Sequence, residues 1–211
     1  FAVRADLGLT HIEEIARNRV PLRLAVRGQR DHWLHPTLDD IVRTAGFTLD
    51  DLRAWGGEVR VEGHIPKLGG PKFEAMARGE IDAIFDESVT TWANDATPAG
   101  MTVLQMSEAT VAKLEAMGYC RAVLAKAQFP TLPEDMLTID FSGWPIIVRD
   151  DAADDFVTRV CTGMEARKHL IPWQEEGPLP IERMCRNFPD TRLTVPLHPA
   201  AERFWRQCGY I

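Results

Sequence analysis

Two short segments gather side chains able to grip a polar ligand. The first is Val26-Arg27-Gly28-Gln29-Arg30-Asp31-His32-Trp33, where an apolar run ends in two guanidiniums, an amide and an imidazole. A guanidinium can hold a carboxylate through two parallel hydrogen bonds. Arg30 is therefore the candidate clamp for an anionic group, with Arg27, Gln29 and His32 beside it. The second is Phe85-Asp86-Glu87-Ser88-Val89-Thr90-Thr91-Trp92. Ser88 could donate to a ligand or accept from it, and Trp92 could stack on it. Asp86 and Glu87 would repel a carboxylate and suit an amine, a hydroxyl or a metal. Each segment also has a plainer reading: the first as a solvated polar loop, the second as a helix cap over a core tryptophan.

Other chemistries find less support. His32 and His35 with Asp86 and Glu87 would make a reasonable donor set for zinc or iron. Pro36 follows His35, however, and helical spacing of the two imidazoles is not assured, so no metal is expected. No Gly-x-Ser-x-Gly, phosphate-loop or dinucleotide fingerprint occurs, and Gly56-Gly57 and Gly69-Gly70 read as turns. Arg121 beside Cys120 could depress the thiol pKa, but such cysteines are usually inert. No catalytic residue and no cofactor are expected. The tryptophans Trp33, Trp55, Trp173 and Trp205 read as packing. Trp144, in Ser142-Gly143-Trp144-Pro145, is kept as a ligand candidate.

The elements that position these segments alternate between short apolar strands and amphipathic helices, the pattern of an α/β protein. Strands are expected at 22–26, 58–62, 81–85, 101–104 and 144–148. Leu38, Ile41, Val42 and Ala45 recur at helical spacing, as do Phe73, Met76 and Ala77. Val89, Trp92, Ala93 and Ala96 form a further stripe, and Val111, Leu114 and Met117 line a helix ending at Gly118. The longest helix is expected from Ala152 to Lys168, with Phe156, Val157, Val160 and Met164 inward. A last helix runs from about Ala200 to Gln207. Gln128-Phe129-Pro130-Thr131-Leu132-Pro133 is an extended loop resembling a lobe boundary.

Composition sets the outer limits. Of 211 residues, 45% are hydrophobic and 26% charged, enough to bury a core, which weighs against disorder and against a disulfide miniprotein. The net charge of -7 weighs against a nucleic-acid partner. No apolar run is long enough to cross a bilayer. Cys120, Cys161, Cys185 and Cys208 form no CxxC pair and read as scattered thiols, though a C-terminal disulfide stays open.

Three patterns together resemble the solute-binding receptors of TAXI-type TRAP transporters. Arg4-Ala5-Asp6 with Leu7 to Ile15 resembles a crossing strand and the short helix after it. Gly79-Glu80-Ile81-Asp82-Ala83-Ile84-Phe85 is similar to a helix-to-strand step common in such proteins. Val195-Pro196-Leu197-His198-Pro199-Ala200-Ala201-Glu202-Arg203-Phe204-Trp205 resembles the C-terminal signature and is the most specific.

The resemblance implies an α/β chain of two-lobed type 2 periplasmic binding protein fold, with the first lobe incomplete here. Residues 21–137 would be the second lobe and its return linker. Residues 1–20 and 138–211 would be crossing strands and the remaining first lobe, with further residues expected upstream. It implies a periplasmic receptor that closes on a small anionic organic solute, such as an organic acid, and delivers it to membrane permease subunits, without being membrane-inserted itself. The family places small residues and a hydroxyl where this chain has Arg27 to His32, so its contact pattern does not carry over there. The alternative is a cytoplasmic enzyme on the same fold, a decarboxylase or hydrolase using His32 with Asp31, Asp86 or Glu87 as acid and base.

Overall fold

The computed structural model describes residues 1–63, 65–87, 89–140, 146–173, 177–186 and 195–211. The chain divides into two units, Phe1–Phe141 and Ser142–Ile211. Residues 1–20 thus cluster with 21–137.

The first unit is α/β and follows the alternation in the sequence. Its elements are β1 (Ala2–Arg4), α1 (Glu13–Asn18), β2 (Arg23–Val26), α2 (Leu34–Thr44), α3 (Leu49–Ala54), β3 (Glu58–Val61), α4 (Pro71–Ala77), β4 (Ala83–Ile84), α5 (Ala93–Ala96), β5 (Met101–Val103), α6 (Glu108–Ala116), β6 (Cys120–Leu124) and β7 (Met136–Asp140). Five strands form one mixed sheet in the order β3-β2-β4-β1-β5. β2 runs parallel to β3 and to β4, whereas β1 lies antiparallel between β4 and β5.

Side chains alternate across a strand, so the sheet feeds two cores. Leu24 and Val26 join Leu38, Ile41, Val42, Leu52, Val111 and Leu114 on one face. Ala25 and Ile84 join Phe73, Met76, Trp92 and Met101 on the other. The apolar stripe of α2 is therefore legible because one helix face meets one sheet face. α3 starts with a capping box: Thr48 Oγ1 accepts from the Asp51 N–H at 3.0 Å, and Asp51 Oδ2 accepts from the Thr48 N–H at 2.8 Å.

The loop at 128–133 does not separate lobes. It lies within the turn between β6 and β7, which pair antiparallel from Cys120 opposite Asp140 to Leu124 opposite Met136. Phe129 and Leu132 are buried in the same core as Trp92.

Glu13 ties α1 to α6. Its Oε1 accepts from the Ser107 N–H at 2.9 Å, from Ser107 Oγ at 2.7 Å and from Thr110 Oγ1. Burial alone would raise the Glu13 pKa, but the hydrogen bonds from Thr110 and Ser107 outweigh it and hold the carboxyl below its ordinary value. Its contribution to stability is complete above the ordinary glutamate pKa and is lost as pH falls through the lower folded-state pKa. Glu13→Gln is expected to cost about 1–3 kcal/mol at neutral pH. The gap from wild type should close in urea titrations at increasingly acid pH.

The second unit contains α7 (Asp154–Arg167), α8 (Ile181–Met184) and α9 (Pro199–Gln207). Val157, Cys161, Ile181, Cys185, Ala200 and Trp205 form its core. α7 is the longest helix described and Val157 faces inward as expected, but Phe156 is exposed. His198 caps α9, its Nδ1 accepting from the Ala200 N–H at 3.2 Å. Of the strand expected at 144–148, the described part, 146–148, has no regular structure, and Ile146 and Ile147 are exposed. The four cysteines are free thiols. Burial raises the thiol pKa of Cys161, and that of Cys185 to about 12, which keeps both protonated and unreactive.

Candidate functional site

In an open α/β sheet, the crevice for a ligand lies beyond the carboxyl ends of parallel strands, where the strand order reverses. Here the chain leaves β2, forms β3 on one side, and returns to form β4 on the other. The reversal therefore falls between the ends of β2 and β4. Arg27 is the first residue after β2, and Asp86 and Glu87 follow β4 closely.

These side chains meet. Arg27 Nε donates to Asp86 Oδ1 at 3.1 Å, and Arg27 Nη2 donates to Asp86 Oδ1 at 2.5 Å and to Glu87 Oε1 at 3.1 Å. Lys72, in the first turn of α4, completes the cluster by donating to Asp86 Oδ2 at 2.9 Å. All four are buried: Arg27 is 9% exposed, Lys72 5%, Asp86 4% and Glu87 8%. Two cations thus face two carboxylates, and Asp86 serves both cations.

Burial works against the charged guanidinium of Arg27, but its hydrogen bond to Asp86 and the nearby carboxylates outweigh this and raise its pKa. For Lys72 burial prevails, and its pKa is lowered despite Asp86.

His32 borders the cluster. Its Nδ1 accepts from the Leu34 N–H at 3.2 Å, which leaves the ring hydrogen of the neutral form on Nε2, 3.3 Å from Glu87 Oε1. The backbone is held as tightly as the side chains. Gly28 N–H donates to the Gly63 carbonyl at 3.1 Å, joining the loops after β2 and β3. A Cβ at Gly28 would lie 2.8 Å from that oxygen, so this approach requires glycine.

The remaining candidates are dispersed. Gln29 and Arg30 are exposed on the loop after β2. Arg30 is not brought into the cluster, and the guanidinium at the strand end is that of Arg27. Trp92 is only 1% exposed and its Nε1 donates to the Glu87 carbonyl at 2.9 Å. It packs in the core and offers no open ring face for stacking. Trp33, expected to pack, stands exposed. Ser88 and Trp144 lie outside the described residues. His35 turns to the Gln29 carbonyl at 2.8 Å. Among the described residues no group of three or more His, Cys, Asp and Glu side chains is disposed to hold a metal ion.

Lys72 was not among the sequence candidates. One signal for it exists. A lysine in the first turn of a helix opposes the helix dipole, and Lys72 does so next to the buried Phe73. A cation placed there needs a nearby carboxylate.

One carboxylate oxygen in the cluster is left over. Glu87 Oε2 is buried and has no hydrogen-bond partner among the described residues. A buried acceptor without a donor is costly, and this one lies just beyond the carboxyl end of β4.

The fold and cluster define an α/β unit with a charge-balanced polar site at the reversal of its sheet. No family model matches the chain, and no curated protein matches it. No helix among the described residues is long and apolar enough to cross a membrane.

Proposed function

We propose that the chain is a solute-binding receptor. The unit of residues 1–141 serves as one lobe, taking a small polar organic solute at the crevice between β2 and β4 for delivery to a membrane permease in the periplasm. The observation that carries this reading is the buried cluster of Arg27, Lys72, Asp86 and Glu87 at the sheet's reversal. Four charged groups are expensive to bury, and burying them at the ligand end of the strands suits recognition of a polar guest. The antiparallel β1 between β4 and β5 adds support, because a strand crossing in from another lobe would run that way.

The enzyme reading has less to stand on. His32 would be its base, yet Nδ1 accepts a backbone N–H and Nε2 faces Glu87. The ring is committed to holding the loop after β2.

A thermal-shift screen of the full chain against carboxylates, amino acids, aromatic acids, amines and polyols tests the proposal. A ligand that binds only the folded state raises Tm by mass action. A rise with one compound, recovered chemically unchanged, is the expected result. A compound that is consumed would point to an enzyme. No rise with any class would overturn the receptor reading.

A further inference from the structure

We infer that the group a solute presents to the β2–β4 crevice is a hydrogen-bond donor, an ammonium or a hydroxyl, and that Glu87 Oε2 receives it. This rests on the receptor reading above and gives it a ligand chemistry.

Three observations converge. Glu87 is 8% exposed, and its Oε2 has no partner among the described residues while Oε1 faces Arg27 and His32. The site therefore holds an acceptor in want of a donor. Second, the cations are engaged: Asp86 takes Lys72 and binds Arg27 through two nitrogens, and Arg27 also reaches Glu87. A solute carboxylate would have to displace Asp86 or Glu87 from a cation and leave a protein carboxylate buried without its partner. Third, the formal charges already balance. A carboxylate would add a third negative charge to a buried site, whereas a hydroxyl adds none and an ammonium meets an unoccupied carboxylate oxygen. An acid group elsewhere on the solute is compatible with this, provided it does not enter the crevice.

The test uses four-carbon probes that differ only in their polar groups: succinate, γ-aminobutyrate, putrescine and erythritol. Binding of each to the full chain is followed by ligand-observed NMR and calorimetry, in wild type and in Glu87→Gln. The variant replaces an acceptor with an amide that can present its NH2. Putrescine, γ-aminobutyrate or erythritol should bind in preference to succinate, and the variant should weaken that binding about 10- to 100-fold, the range for a hydrogen bond to a charged group. Amine and polyol probes then distinguish the two donors.

Circular dichroism checks that the variant folds. Glu87→Asp keeps the charge but withdraws the oxygen by one methylene, and it should weaken the same probes if Glu87→Gln fails to fold. Preferential succinate binding, or donor binding unchanged by both variants, overturns the inference and leaves the receptor reading standing. Binding of none of the four probes overturns the inference as well, and the broader screen then decides separately whether any receptor reading survives.

Discussion

Asp86→Ala is expected to lower the unfolding free energy by about 3–5 kcal/mol, the cost of breaking a buried ion pair from one side. The reason is the asymmetry of the cluster. Among the described residues Asp86 alone contacts both Arg27 and Lys72, so its removal weakens the pairing of two buried cations at once. Lys72 can shed its proton, and burial already lowers its pKa. Arg27 cannot, and Glu87 would be its only remaining carboxylate among the described residues. Urea unfolding of the purified variant measures the loss. A companion variant, Arg27→Met with Lys72→Met, Asp86→Leu and Glu87→Met, should be far less damaging, because it removes all four buried charges together and fills the space with apolar atoms. A loss of less than about 1 kcal/mol for Asp86→Ala, a value typical of exposed pairs, would show that water reaches the cluster.

Trp92→Ala is expected to cost about 3–5 kcal/mol, the range for truncating a large buried aromatic. Trp92 packs with Phe73, Met76, Ile84 and Met101 beneath the sheet, and its N–H satisfies the Glu87 carbonyl. Trp92→Phe keeps most of the volume and loses the donor, so about 1 kcal/mol should follow from the hydrogen bond. The second effect should also reach the site, because the lost bond fixes the backbone of the residue that carries the free carboxylate oxygen. Denaturation midpoints read the first effect and probe affinity the second. An Ala variant of wild-type stability with weakened ligand binding would instead restore Trp92 as a stacking wall.

The elements were largely legible because their signal is local. Leu38, Ile41 and Val42 repeat at the period of a helix, and Ile81 to Phe85 form a short apolar run after Gly79. What failed was local too. Cys120 to Leu124 is half-buried, and the proline-rich loop after it drew attention as a boundary when it only closes a hairpin. The site was half legible. Arg27, Asp86 and Glu87 could be nominated from their place after apolar runs. Their mutual contact could not, since Arg27 and Asp86 are far apart in sequence and meet only because β2 and β4 are neighbours. Strand order is a tertiary fact that periodicity does not encode. Arg30 drew the clamp role because it shares the loop with Arg27, but only the residue nearest the strand end is carried inward. Trp92 shows the same limit from the other side, since one helical stripe serves equally for a core face and a ligand wall.

The placement of β1 has a consequence for how the chain reaches its native state. Ala2 pairs with Ile84 on one side and Val103 on the other. β1 precedes both partners in the chain and must therefore wait for them to be synthesised. Until β5 is synthesised, β2, β3 and β4 can assemble through short parallel crossovers, while the slot beside β4 stays open. Closing so large a loop is entropically slow. During synthesis the nascent chain thus carries an unpaired apolar strand and an open sheet edge, the combination that invites chaperone capture or aggregation.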